Sequence, residues 1–133
     1  MPKKGQKRAK LPSIKSLKNK AWELQSICVR KSAANFQGLT ECYTCYRLFP
    51  WMELHSGHYK HNSYDFDLRN IHPQCPRCNT YLHGQPDEYY VHLIKDYGQE
   101  VADELRTRKH WNDYKRAELV ELIKKYKEWI SKL

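Results

Sequence analysis

Hydrophobic residues recur at steps of three and four near both ends of this chain and at no regular step in the middle. Ile14, Leu17, Ala21, Leu24 and Cys28 mark one face of a helix that Ser13 caps and that must end before Gly38, which predicts a helix over residues 13–37. Pro86 and Asp87 open another through Tyr90, Leu93, Ile94 and Tyr97, with Gly98 placed to close it. A short helix is expected over 99–108. A last one over 115–132 carries Leu119, Leu122, Ile123, Tyr126 and Ile130 on one side and Lys and Glu on the other. Residues 41–84 break the rhythm, being dense in Cys, His, Tyr, Asn and Pro with no helical period before Cys78. The expected architecture is α+β: an arm over 1–12, then one domain over 13–133. In that domain a small core at 41–84 lies between an N-terminal helix and the C-terminal helices of 86–133.

Size and charge sharpen this picture. A chain of 133 residues makes one small domain whose core gains from a crosslink or a structural metal. Lys and Arg number 24 against 15 Asp and Glu, a formal charge of +9. Eight of the basic residues (Lys3, Lys4, Lys7, Arg8, Lys10, Lys15, Lys18 and Lys20) fall in the first twenty positions, which hold no acidic residue. The rest of the chain is nearly neutral, so the arm carries the field and a polyanion such as DNA is the expected partner. No apolar run approaches the roughly 18 residues that span a bilayer, and the start lacks a signal-peptide stretch, which predicts a soluble, cytosolic protein with no membrane partner. In such a compartment five cysteines read as metal ligands before disulfides.

Cys42 and Cys45 form one CxxC pair, and Cys75 and Cys78 a second, with 29 residues between them. Two such turns complete the tetrahedral thiolate shell that zinc prefers in closed structural sites. A redox CxxC fits less well, since no βαβ pattern surrounds either pair. Cys28, on the apolar face of the first helix, reads as a buried thiol.

The loop between the pairs holds the chemistry. It contains His55, Ser56, Gly57, His58 and Tyr59, then Arg69, Asn70, Ile71 and His72 leading to Cys75, with Asn79 directly after Cys78 and His83 four residues on. A His on a hairpin, an Asn before the second knuckle and an Asn or His on the following helix is the order of an HNH, or ββα-metal, nuclease motif. Phosphodiester hydrolysis needs a base near neutral pH, and an imidazole with a pKa of about 6.5 serves; His58 is the candidate. A divalent ion must offset charge on the phosphoryl oxygens, and Asn79 and His55 can hold it. Asn70 can fix the orientation of His58 by a hydrogen bond. If a helix starts near Cys78, Asn79 and His83 share a face, and His72 or His83 can touch phosphate or metal. His61, His92 and His110 read as surface residues.

The runs Gly57-His58-Tyr59, Arg69 to Asn79 and Leu82-His83-Gly84 resemble the phage NinG/Rap recombination proteins, a similarity that extends over roughly residues 40 to 130. The four-cysteine zinc followed by an Asn also resembles junction resolvases of the phage endonuclease VII type. The resemblance implies a phage-encoded endonuclease acting in the bacterial host on branched DNA, such as Holliday junctions and D-loops. It further implies dependence on Mg2+ or Mn2+, and 5′-phosphate and 3′-hydroxyl products. The family pattern carries an acidic residue where this chain has His55. An imidazole is a softer ligand than a carboxylate, so manganese competes better with magnesium here. Asp65 and Asp67 lie in the same loop as substitute ligands.

A junction cutter reads shape, with most contacts on the backbone. The arm residues Lys3, Lys4, Lys7, Arg8 and Lys10, together with Lys60, Arg69 and Arg77 near the scissile bond, are the expected DNA contacts. Tyr43, Tyr46, Trp51 and Tyr59 can stack on an unpaired base, though core packing is the plainer reading. Symmetric cutting needs two sites, hence a homodimer through the first or last helix. The rival readings are a non-catalytic zinc-ribbon module, a sequence-specific HNH endonuclease on linear duplex, and an adaptor working through its last helix.

Overall fold

The computed structural model describes residues 11–107 and 113–133. The arm residues Lys3, Lys4, Lys7, Arg8 and Lys10, and also His110, lie outside these. Helix α1 spans Ile14–Ser32, and the Ser13 hydroxyl accepts from the Ser16 N–H at 3.0 Å, satisfying one otherwise orphaned donor of the first turn. The helix stops five residues short of the predicted end. Asn35 is the cause: its side-chain oxygen accepts from the backbone N–H groups of Gln37 and Leu39, offering the chain a turn in place of another helical turn.

Two short antiparallel ribbons follow. Strands β1 (Leu39–Glu41) and β2 (Leu48–Pro50) pair around the first CxxC turn, with Thr40 opposite Phe49. Strands β3 (His55–His58) and β4 (Ile71–Gln74) pair with His55 opposite Gln74 and His58 opposite Ile71. A five-residue π-helical turn, Arg77–Tyr81, leaves the second CxxC, and helices α2 (Pro86–Tyr97), α3 (Gln99–Thr107) and α4 (Arg116–Ser131) complete the described chain. The fold is thus mixed, helices with small antiparallel sheets. Among the described residues no helix is long and apolar enough to cross a membrane.

Three small cores hold these elements together. The stripe of α1 packs on α4 through Ala21, Leu24, Cys28 and Tyr126, and Gln25 donates to the Tyr126 hydroxyl at 3.2 Å. The apolar faces expected to form a dimer interface therefore cover one another within the chain. A second core joins α2 to α3 through Tyr89, Leu93, Ala102 and Leu105. The third is Leu54 with Cys42, Cys75 and Cys78, so thiols stand where a larger domain would place aliphatic residues. Arg30 ties α1 to this region, donating to the Leu54 carbonyl at 3.3 Å and lying over the Trp51 ring.

One backbone approach is close enough to forbid a side chain. A Cβ at Gly57 would lie 1.9 Å from the Gln74 side-chain oxygen. Gln74 is fully buried and cannot swing away, because its amide donates to the Gly84 carbonyl at 2.9 Å and to the Thr44 hydroxyl at 3.2 Å. Gly57→Ala must either overpack this junction or break those hydrogen bonds. The expected loss is about 3 kcal/mol, read as a lower urea midpoint with zinc held in excess.

Candidate metal centre and active site

The four thiols of Cys42, Cys45, Cys75 and Cys78 lie within 4.8 Å of one another. Cys45 and Cys75 sulfurs are 3.8 Å apart, the edge of a tetrahedron built on zinc–sulfur bonds of about 2.3 Å. Each knuckle is locked by its own backbone. Tyr46 adopts the left-handed conformation at φ 64°, so that its N–H reaches the Cys42 carbonyl, and the Asn79 N–H reaches the Cys75 carbonyl. Backbone N–H groups also point at sulfur, Cys75 to Cys42 at 3.3 Å and Cys78 to Cys75 at 3.5 Å. Burial pushes the Cys42 thiol up, but the hydrogen bonds it accepts outweigh this and bring it down to about 7, toward the thiolate a metal requires. The cluster is compatible with a structural zinc site.

Asn79, one residue beyond the last ligand, meets His55 from β3, its amide 3.0 Å from the imidazole Nδ1. The structure thus brings together the two residues expected to share an ion. Oxygen and nitrogen of an amide exchange by a half-turn of the side chain, so an Asn oxygen and an imidazole nitrogen can face one ligand here. This is a neutral donor pair, suited to manganese more than to magnesium.

His58 stands elsewhere. Three positions along a strand is an odd step, so His55 and His58 face opposite sides of the ribbon. The His58 ring stacks on Trp22 of α1, centroids 4.3 Å apart and planes 12° from parallel. It faces a pocket of about 280 Å3 lined by Lys18, Asn19, His61, Asn62, Asp65 and Phe66. The ring hydrogen-bonds the Asp65 backbone while Nε2 is buried without a hydrogen-bond partner, so Nδ1–H donates to that carbonyl and Nε2 carries the lone pair. The Asp65 carboxylate lies 3.8 Å from Nε2, close enough for its charge to act on the ring. Burial holds the imidazole below its ordinary pKa, and the Asp65 charge offsets this only in part.

Asn70 does not orient His58. Its side chain, fully buried, accepts from the Lys60 N–H at 2.8 Å and donates to the Lys60 and Ser63 carbonyls, both at 3.1 Å, so it shapes the 60–64 loop. His83 does not share a helix face with Asn79, because the helical turn ends at Tyr81 and residues 83 to 85 all take positive φ. His83 is exposed. Lys60 donates to the Arg106 carbonyl at 3.0 Å, and Arg69 grips Asp67 through two bonds of 3.1 and 2.8 Å. Arg77 is exposed. Tyr43 and Tyr59 pack against Tyr89 and Trp51 lies under Arg30, whereas Tyr81, which the sequence reading passed over, is 77% exposed.

Two histidines hold the fold. His92, expected at the surface, is 7% exposed, its Nδ1 2.5 Å from the Tyr43 carbonyl; with Tyr89 and Leu93 it completes an i, i+3, i+4 stripe that could have shown this. His72 stacks on Tyr43 between two hydroxyls, Tyr89 at Nδ1 and Tyr97 at Nε2. The Tyr89 proton goes to the Gly57 carbonyl at 2.7 Å, so His72 donates to Tyr89 and accepts from Tyr97. Burial lowers its pKa to about 4. Because the folded value is below the unfolded one of about 6.5, this stabilisation is complete above pH 6.5 and is lost as pH falls toward 4. The stability gap between wild type and His72→Phe, both zinc-loaded, should narrow by about 2 to 3 kcal/mol over that window. Urea titrations at successive pH values check it, and the comparison cancels proton uptake by the thiolates.

A family model described as Bacteriophage Lambda NinG protein matches residues 2–133. Protein ninG of Escherichia phage 933W is 33% identical over 82 residues, 59% of this chain and 41% of the relative. Protein ninG of Enterobacteria phage H19B is 41% identical, and that of Escherichia phage lambda 39% identical, each over 56 residues, 39% of this chain and 28% of the relative. The matched stretches span less than half the length of these curated relatives. No solved structure matches the chain. A family match that takes in both knuckles, the histidine-bearing ribbon and every helix leaves one assignment: the chain belongs to the NinG family of phage proteins.

Proposed function

We propose that this protein is a metal-dependent endonuclease that hydrolyses phosphodiesters in branched DNA during phage recombination, with a ββα-metal core formed by β3, β4 and the turn that carries Asn79. The observation that carries the reading is His58: an imidazole beside a pocket, held below its ordinary pKa by burial, its tautomer set by the Asp65 carbonyl, with a buried Nε2 that has no hydrogen-bond partner. A neutral imidazole is the state a general base needs, and the Asp65 carboxylate 3.8 Å from Nε2 can stabilise the imidazolium that forms when it takes a proton. His58 takes the proton of the attacking water at Nε2 once that atom is uncovered, with the Asp65 carboxylate beside it. Mg2+ or Mn2+, when bound, would supply charge neutralisation at the phosphoryl and leaving oxygens; His55 and Asn79 are the candidate ligands on one face of the ribbon, and Asp65 is the carboxylate at hand on the His58 face. The four-cysteine knuckle fixes the ends of β4 and of the Asn79 turn. The basic arm and Arg77 contact the DNA backbone, and two copies act together on a four-way junction.

The direct test incubates the protein with a labelled four-way junction and a linear duplex of matching sequence, in Mg2+ and in Mn2+. Cleavage of the junction in preference to the duplex supports the reading, with Mn2+ at least as effective as Mg2+. Binding that weakens with salt but leaves both substrates whole would make the protein a DNA-binding zinc module instead. Because His58 and the His55–Asn79 pair face opposite sides of the ribbon, the series includes Asn79→Ala and Asp65→Asn. Loss of metal dependence in the second alone moves the ion to the His58 side.

A further inference from the structure

Helix α1 lies outside the cysteine and histidine motifs, yet it touches the candidate base. Trp22 presents its flat face to the His58 ring at 4.3 Å, and the next turn toward the start of the helix brings Lys18 and Asn19 to the same pocket. The backbone bond to Asp65 fixes one edge of the imidazole, but a single hydrogen bond leaves a ring free to tilt about that contact. The stacked indole removes this freedom and covers one face of the ring. Trp22 is itself held in place: α1 is packed on α4 at Ala21 and Leu24, on either side of it in sequence, and tied to the Leu54 carbonyl by Arg30.

We propose that Trp22 is a positioning residue for His58, so that α1 forms one wall of the site where the phosphodiester is cut. This rests on the endonuclease reading for its kinetic consequence, though not for its structural one. Trp22→Leu keeps an apolar side chain on the helix and removes the flat face, while Trp22→Phe keeps both. NMR reads the geometry without any cleavage: in wild type the indole shields the His58 ring protons, shifting them upfield. Trp22→Phe should retain most of this shift and Trp22→Leu should lose it, with zinc content and helical circular dichroism unchanged in both. In junction cleavage, kcat should fall about 10- to 100-fold in Trp22→Leu, since a displacement of about 1 Å at a reacting group costs on that order, while KM moves less than about threefold. Trp22→Phe should recover most of kcat.

Equal rates and equal ring shifts in the Leu and Phe variants would overturn the proposal, as would a change confined to KM. If wild type cuts no DNA, the endonuclease reading falls and the ring shifts alone decide whether Trp22 positions His58.

Discussion

Removing zinc should cost this protein more than any single core substitution. Dialysis against a strong chelator, or Cys75→Ser, is expected to release one zinc per chain and abolish the cooperative unfolding transition of the ribbon region. The reason lies in what surrounds the thiols. The third core consists of Leu54, Cys42, Cys75 and Cys78, with Cys45 and Phe49 packed against them, so little apolar surface remains to hold β1, β2 and the Asn79 turn together once the metal is gone. Four-thiolate binding of zinc contributes on the order of 10 kcal/mol in small domains, and here much of that free energy is folding free energy. The α1–α4 pair has its own contacts at Ala21, Leu24 and Tyr126 and should keep part of its helical signal. Cys28→Ser is the control. Its thiol sits at the α1–α4 contact, donating to the Tyr126 carbonyl at 3.5 Å with its pKa pushed by burial up to about 11, and zinc stoichiometry should not change. Metal analysis with circular dichroism on the three proteins decides the matter. Unaltered melting after chelation would mean that the cluster is simply four reduced thiols.

What the chain discloses before folding is unequal, for physical reasons. The start of α1 is written in one residue, because a hydroxyl before an apolar periodic stretch has little to do except cap it. The end is not, because Asn35 stops the helix through bonds to residues two and four ahead, which an apolar period cannot show. The knuckles are legible because CxxC spacing is itself a geometric statement about a turn. The histidines are the opposite case. His58, His72 and His92 look alike in sequence, yet one stacks on an indole with an unpartnered, buried Nε2, one joins two tyrosines and one is buried against a backbone carbonyl. Asn70 reads as an orienting residue because it precedes the second knuckle, whereas folding turns its amide into the loop of residues 60–64. The Trp22–His58 stack joins residues 36 positions apart on different elements, and neither local period nor motif spacing records such a pair.

His58→Ala is the substitution from which the largest loss of activity is expected. General-base assistance contributes about 10^2- to 10^4-fold, so junction cleavage should fall by that factor while affinity for uncut junction changes little. Binding is expected to survive because the DNA contacts are assigned to other residues, and the deletion removes no hydrogen bond from Nε2. It does leave a cavity beside Trp22, so His58→Gln, which fills the space with a group of negligible basicity, should be as inactive as His58→Ala and more stable. The pH profile separates lost chemistry from lost structure. Burial holds the imidazole below its ordinary pKa of about 6.5, so it remains neutral, and able to accept a proton, at pH values where an exposed histidine has begun to protonate. The acid limb of wild-type activity should therefore lie at lower pH than an exposed histidine would give, whereas any residual activity of His58→Ala should lack it. Single-turnover rates over the pH range, with junction binding measured in Ca2+ to prevent cutting, check both statements. Wild-type rates in His58→Ala would remove this residue from the chemistry and move the search for the base to the exposed His61 and His83.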